Sequence, residues 1–270
     1  MRLALLCTGT LFSLLTPIFA QQTATVPAPT PQELQQMQQK LQDWPNLARY
    51  RDDNAKLPPP AAGEQRVVFM GDSITDGWGR QTGTFFPGKP YVNRGISGQT
   101  TPQMLDRFQQ DVLHLHPTVV VILAGINDIA GNTGPESLDV IEDNFRSMVA
   151  LAQSAHVRVV LSSVLPASYF PWRPGLTPAA EVKELNAWLE SFAAEQHVVF
   201  LNYYPALVNK DGGMRPELAT DKAVHPNAAG YAVMAPLAEQ AIAKALAAPA
   251  GQPLLASGIV VGVGRLLRGA

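Results

Sequence analysis

The sequence predicts an α/β protein whose single parallel sheet is covered by helices on both faces. Two observations carry this reading. Five short runs are continuously apolar rather than alternating, as strands buried on both faces are, and longer segments with helical apolar spacing separate them. Strand, helix and strand repeated in this way require right-handed crossovers and a parallel sheet. At 270 residues and 46% hydrophobic composition, the chain has enough apolar material for one substantial core.

Taken from the amino terminus, Arg2 precedes an apolar run from Leu3 to Phe19 that closes on Ala20. Positive end, short apolar stretch and small residue are the layout of a signal peptide, so 1–20 is expected to be removed on export to the periplasm or the extracellular space. The run is too short and too rich in Thr, Ser and Pro to be read as a bilayer span. The only cysteine, Cys7, lies inside it. A processed chain therefore has no thiol for a nucleophile, a thiolate metal site or a disulfide. Residues 21–65 are rich in Gln, Ala and Pro and read as a linker plus an amino-terminal brace, with a solvated helix from Pro31 to Leu41.

The strand and helix pattern occupies 66–248, which is expected to be the one catalytic domain if the motifs below carry chemistry. Strands are expected at Val67 to Met70, Tyr91 to Arg94, Val119 to Leu123, Val157 to Val164 and Val198 to Leu201. Met104, Leu105, Phe108 and Val112 mark one helical face, and Leu138, Ile141, Phe145, Met148 and Val149 a second. Val182, Leu185, Trp188, Leu189 and Phe192 mark a third, and Met234, Leu237, Ala238 and Ile242 the last. The tail 249–270 is Gly-rich and apolar, interrupted by Arg265, and is expected to be disordered. A formal net charge of -2 gives no basic excess, which argues against nucleic acid or anionic lipid as a partner.

In open parallel sheets, ligands bind beyond the carboxyl ends of the strands. Ser73 stands there, two residues past the first strand, behind Gly71 and Asp72. A Gly-Asp-Ser turn lifts a hydroxyl above the sheet edge, but the same triplet also suits a serine that only caps the next helix. Asn127 follows the third strand in Gly125-Ile126-Asn127-Asp128 and is either an oxyanion donor or the start of an Asx turn. Gly98, past the second strand, offers either an unobstructed N–H or a positive-φ turn. Among five histidines, His225 alone is framed like a base, held in a loop by Pro226 with Asn227 ready to cap the following helix. His114 and His116 end a helix, and His156 and His197 precede strands as surface loop residues.

Four blocks occur in order: GDSITDGW at 71–78, NRGISGQT at 93–100, GIND at 125–128 and DKAVHPN at 221–227. With them, the chain from about Trp44 to Leu246 resembles the SGNH or GDSL-type esterase and lipase superfamily, and within it the bacterial branch similar to platelet-activating-factor acetylhydrolases. The resemblance implies a three-layer α/β/α sandwich of about five parallel strands, flavodoxin-like in order. It also implies a Ser73, His225 and Asp221 triad, with an oxyanion hole from Ser73, Gly98 and Asn127. No cofactor or metal is implied, and the expected partner is a small-molecule, glycan or lipid acyl ester. Relatives usually carry the acid three residues before the histidine. Here Lys222 holds that position and Asp221 lies four before.

Carbohydrate O-deacetylation, lysophospholipid cleavage and a catalytically silent glycan-binding module of the same fold are competing expectations. Trp78, Phe85, Phe86, Tyr169, Phe170 and Trp172 are read either as pocket walls or as core.

Overall fold

In the computed structural model, residues 28–248 are described. The expected signal segment 1–20 with Cys7, the first part of the linker and the tail 249–270 lie outside them. The five apolar runs form β1 (Val67–Gly71), β2 (Tyr91–Gly95), β3 (Val119–Leu123), β4 (Arg158–Ser162) and β5 (Val199–Leu201). They pair in parallel in the order β2-β1-β3-β4-β5, and β1 aligns Val67 with both Tyr91 and Val119. Every residue of β1 and of β3 is buried, which is why neither shows alternation.

The strand expected from Val157 to Val164 is shorter at both ends. Ser163 leaves the β3–β4 ladder: its N–H donates to Leu201 O at 2.9 Å, and its hydroxyl accepts from Tyr203 N at 3.0 Å. Val164 N then donates to Asn186 Oδ1 at 2.7 Å, so a helix side chain replaces a strand partner. β5 begins one residue later than expected because Val198 N closes the preceding helix on Ala193 O.

The crossovers are α3 (Ser73–Thr82), α4 (Thr101–Asp111), α6 (Leu138–Ser154) and α7 (Ala179–Glu195), and α9 (Ala228–Ala247) ends the unit. Helices α3 and α9 pack together on one face of the sheet, and α4, α6 and α7 cover the other. Of the expected inward stripes, Met104 and Phe108, Ile141, Phe145 and Met148, Val182, Leu185 and Leu189, and Met234, Ala238 and Ile242 are buried, while Leu105, Leu138, Trp188 and Leu237 are half-buried against the edge of the core. The connections leaving β1 and β3, which are neighbours, go to opposite faces. Their divergence opens a crevice at the carboxyl edge, where flavodoxin-like sheets hold ligands.

The brace comprises α1 (Pro31–Gln42), exposed wherever its side chains are described, a turn at Trp44 to Tyr50, and α2 (Arg51–Lys56). Gln99 Nε2 donates to Pro45 O at 2.7 Å, Gln103 Nε2 to Trp44 O at 2.7 Å and Gln110 Nε2 to Leu47 O at 2.6 Å. The Tyr50 hydroxyl donates to Gly95 O. The brace thereby clasps the loop after β2 and both ends of α4. The remaining short helices are α5 (Ile126–Ile129) after β3 and α8 (Tyr204–Leu207) after β5. Among the described residues, no helix is long and apolar enough to cross a membrane.

Candidate active site

Between β1 and α3 the chain turns within two residues. A side chain on Gly71 would collide with that of Thr75, so only glycine lets the first helical turn sit this close to the strand end. Asp72, not Ser73, is the cap: its carboxylate accepts from Ile74 N at 2.9 Å. Ser73 is left as the first helical residue with its hydroxyl free, and Oγ lies 2.9 Å from His225 Nε2. Neither Ser73 N–H nor Gly98 N–H has an acceptor among the described residues.

His225 is fixed by the carboxylate four residues before it. Asp221 Oδ2 accepts from His225 Nδ1 at 2.6 Å, while Oδ1 accepts from the N–H groups of Ala223, Val224 and His225 at 2.9, 2.9 and 3.1 Å. The extra residue is absorbed by Lys222, whose backbone takes φ 61°. A left-handed residue tightens the turn enough for a four-residue offset to reach the imidazole. Burial pushes the Asp221 carboxyl upward, but the bonds from His225 and the three backbone N–H groups outweigh it and hold the group well below the usual carboxylate range. The hydrogen bond to Asp221 in turn raises His225 above its ordinary value, against a smaller opposing effect of burial.

Gly98 has φ 81° in the loop after β2. A Cβ there would meet nothing, so the glycine serves the backbone conformation and leaves its N–H open to the crevice. Asn127 is buried in α5, and its Nδ2 donates to Gln99 O at 2.9 Å. Its Oδ1 accepts from Asn132 Nδ2 at 2.9 Å, and Asn132 Oδ1 accepts from Trp172 Nε1 at 3.2 Å. With one amide hydrogen committed and the carbonyl occupied, the second hydrogen of Asn127 remains for a ligand. The structure thus brings Ser73, His225, Asp221, Gly98 and Asn127 to one pocket of about 560 Å³, which Asn132, Trp172 and Tyr231 also line.

Several residues that hold this geometry were not singled out from the sequence. Arg107 is fully buried beneath the site, donating to Gly71 O at 3.0 Å, Arg94 O at 2.8 Å, Gln99 Oε1 at 2.5 Å and Asp111 Oδ2 at 3.2 Å. It ties the ends of β1 and β2 to the loop that carries Gly98. Asp128, next to Asn127, accepts from Thr101 N at 2.8 Å and Thr101 Oγ1 at 2.5 Å, joining α5 to the start of α4. Burial pushes Asp128 up to about 7 and Asp72 up to about 6. The only sequence cue for Arg107 was a charge placed on the inward stripe between Met104 and Phe108.

The aromatic expectations divide. Trp78, Phe85 and Phe86 pack around Phe69, with Trp78 and Phe86 buried, and belong to the core. Phe170 is buried, and Tyr169 is exposed without lining the pocket. Only Trp172 of the six is a pocket wall, its ring centroid 5.7 Å from that of His225. Among the described residues, no cluster of three His, Cys, Asp or Glu side chains is placed to hold a metal ion.

A serine, an aligned histidine and open N–H donors in one crevice at the carboxyl edge of a parallel sheet are the parts of an acyl-transfer site, and the family of the chain makes it a hydrolase of ester bonds. The chain belongs to the GDSL-like lipase/acylhydrolase family, whose model matches residues 69–233. It is similar to the solved structure of a provisionally assigned acylhydrolase from Bacteroides fragilis, at 44% identity and TM-score 0.73 over 75% of this chain and 98% of that one. A GDSL-like lipase from Bacteroides thetaiotaomicron is 45% identical, with TM-score 0.72 over 75% and 99%. An acetyl-xylooligosaccharide esterase from Geobacillus shares the fold at 24% identity and TM-score 0.52, over 66% of this chain and 94% of that one. A comparison with curated proteins returns no match.

Proposed function

We propose that this protein is an exported serine esterase that cleaves carboxylic acyl esters through an acyl-enzyme, with Ser73 as nucleophile, His225 as base and Asp221 as the orienting acid. The observation that carries the reading is the continuous relay from Ser73 Oγ through both ring nitrogens of His225 to Asp221 Oδ2, at 2.9 and 2.6 Å. Export rests on the signal-like layout of 1–20.

Asp221 Oδ2 accepts a hydrogen bond from His225 Nδ1–H, which keeps the ring proton on Nδ1 and leaves Nε2 unprotonated and facing the Ser73 hydroxyl. As Ser73 Oγ bonds to the acyl carbon, its proton passes to His225 Nε2, and the carbonyl π electrons move onto oxygen. The Ser73 and Gly98 N–H groups and the Asn127 amide receive that oxyanion, a donor of this kind contributing about 3 kcal/mol to the transition state. The intermediate collapses, the ester C–O bond breaks, and the alcohol departs with the proton from Nε2. Water then attacks the acyl carbon with His225 again as base, releasing the carboxylic acid and restoring Ser73. A silent binding module has no use for a histidine aligned in this way.

The test is hydrolysis of p-nitrophenyl acetate by wild type and Ser73→Ala. Turnover by wild type and its loss in the variant is the expected result. Wild-type turnover in Ser73→Ala overturns the reading.

A further inference from the structure

Beside the catalytic pocket lies a second cleft, of about 770 Å³, between the brace turn and the loop after β2. The two meet at Ser97, Gly98 and Asn132, which line both. On its outer side the cleft is walled by Trp44, 39% exposed, and by Asn46. Asn46 is held at φ 56°, its backbone N–H donates to Asp43 O at 3.0 Å, and its side-chain amide makes no hydrogen bond among the described residues. On the other side of Asn132 stands Trp172, also 39% exposed, against His225.

The chemistry of the walls selects among occupants. No lysine or arginine lines the cleft, so a phosphate or carboxylate ligand finds no countercharge there. Its one carboxylate, Asp43, is occupied, accepting from Leu47 N at 2.7 Å and Ala48 N at 2.9 Å. An acyl chain needs continuous apolar walls, and here Asn46, Ser97, Gln103, Asn132 and Thr133 interrupt the apolar surface of Trp44 and Ile96. What remains is a flat, exposed indole beside the free side-chain amide of Asn46 and the Ser97 hydroxyl, which donates to Asp76 Oδ2 at 2.6 Å and can still accept; this matches a sugar ring with its apolar C–H face and its rim of hydroxyls.

We propose that this cleft is a subsite for a neutral oligosaccharide, so that the ester cleaved at Ser73 is carried on a sugar chain longer than one residue. The acyl-bearing sugar lies in the catalytic pocket against Trp172, and the next sugar lies on Trp44. The inference rests on the esterase reading and deepens it by naming the alcohol side of the substrate.

The experiment has two arms. In the first, kcat/KM is measured on an acetylated neutral tetrasaccharide and on p-nitrophenyl acetate for wild type, Trp44→Ala and Trp44→Phe. Loss of one aromatic stacking contact is expected to lower the ratio of the two constants about three- to tenfold in Trp44→Ala, with recovery in Trp44→Phe. An unchanged ratio overturns the proposal. So does an equal fall on both substrates, which assigns Trp44 to holding the Gly98 loop instead. In the second arm, non-acetylated xylotetraose, mannotetraose and chitotetraose are titrated calorimetrically into wild type and Trp44→Ala. Heat of binding that disappears in the variant supports the subsite even where wild type hydrolyses no ester, a result that would sink the esterase reading alone. Absence of binding by all three to wild type overturns the subsite.

Discussion

Replacing Asp221 by Asn separates the orienting role of the carboxylate from its structural one. Oδ1 of Asp221 accepts three backbone N–H bonds, and an Asn carbonyl oxygen retains all three, so the 221–225 turn keeps its shape. The change falls on the other oxygen, which accepts from His225 Nδ1 at 2.6 Å. An NH2 group there donates instead, Nδ1 becomes the acceptor, and the ring proton moves to Nε2. That tautomer cannot take the Ser73 proton. The expected fall in kcat is on the order of 10³- to 10⁴-fold, with KM changed little. Acidity moves as well. The bond to Asp221 is the largest cause of the raised His225 value, so the acid limb of kcat/KM in wild type lies above the ordinary histidine pKa of about 6.5. Activity is retained above that limb and lost as pH falls through it. The residual activity of Asp221→Asn titrates at lower pH because that cause is gone. The assay is steady-state hydrolysis of p-nitrophenyl acetate from acid to neutral pH, with a thermal melt to show that the turn is intact. Wild-type kcat, or an unmoved acid limb in a folded variant, refutes the reasoning.

Removing the Asn127 amide with Asn127→Ala is expected to lower kcat by about 10²- to 10³-fold while sparing KM, measured in the same assay. Asn132→Asp is expected to approach that loss, because an acceptor-only carboxylate facing Asn127 Oδ1 favours the flipped amide, which points oxygen at the oxyanion. Asn132→Ala leaves the bond from Asn127 to Gln99 in place and costs less, so the order of the two variants is the measurement that checks the role. Arg107→Met leaves the buried Asp111 carboxylate without its cation, with Asn54 Nδ2 still donating to it, and takes one donor each from the Gly71 and Arg94 carbonyls, a loss of about 3–5 kcal/mol. Differential scanning calorimetry is expected to show a midpoint lowered by roughly 6–20 °C.

Much of this molecule was legible in its sequence because its signals are local. Continuous apolar runs marked β1 and β3, and stripes such as Ile141, Phe145 and Met148 marked helix faces, since burial on a regular element leaves a pattern of its own. Gly71, Ser73 and His225 could be placed because turn chemistry restricts their neighbours. What was missed depends on contacts between distant segments. Nothing near Gln99 or Gln103 shows that their amides hold the brace carbonyls of Pro45 and Trp44. Nothing near Asn132 shows that it orients Asn127. The offset of Asp221 was a doubt in the sequence because spacing counts residues, whereas reach depends on the backbone, and one left-handed residue at Lys222 changes it. Trp78, Phe85 and Phe86 had the composition of a pocket wall, but their spacing turns them onto Phe69.

The central claim is that Ser73 is an activated nucleophile, and covalent capture tests it most directly. Incubation with a fluorophosphonate, followed by mass spectrometry of the digested protein, is predicted to show one adduct per chain on the peptide containing Ser73. The adduct should be lost in His225→Ala, where no base takes the hydroxyl proton. A protein that remains unmodified, or that carries the adduct on another residue, contradicts the account.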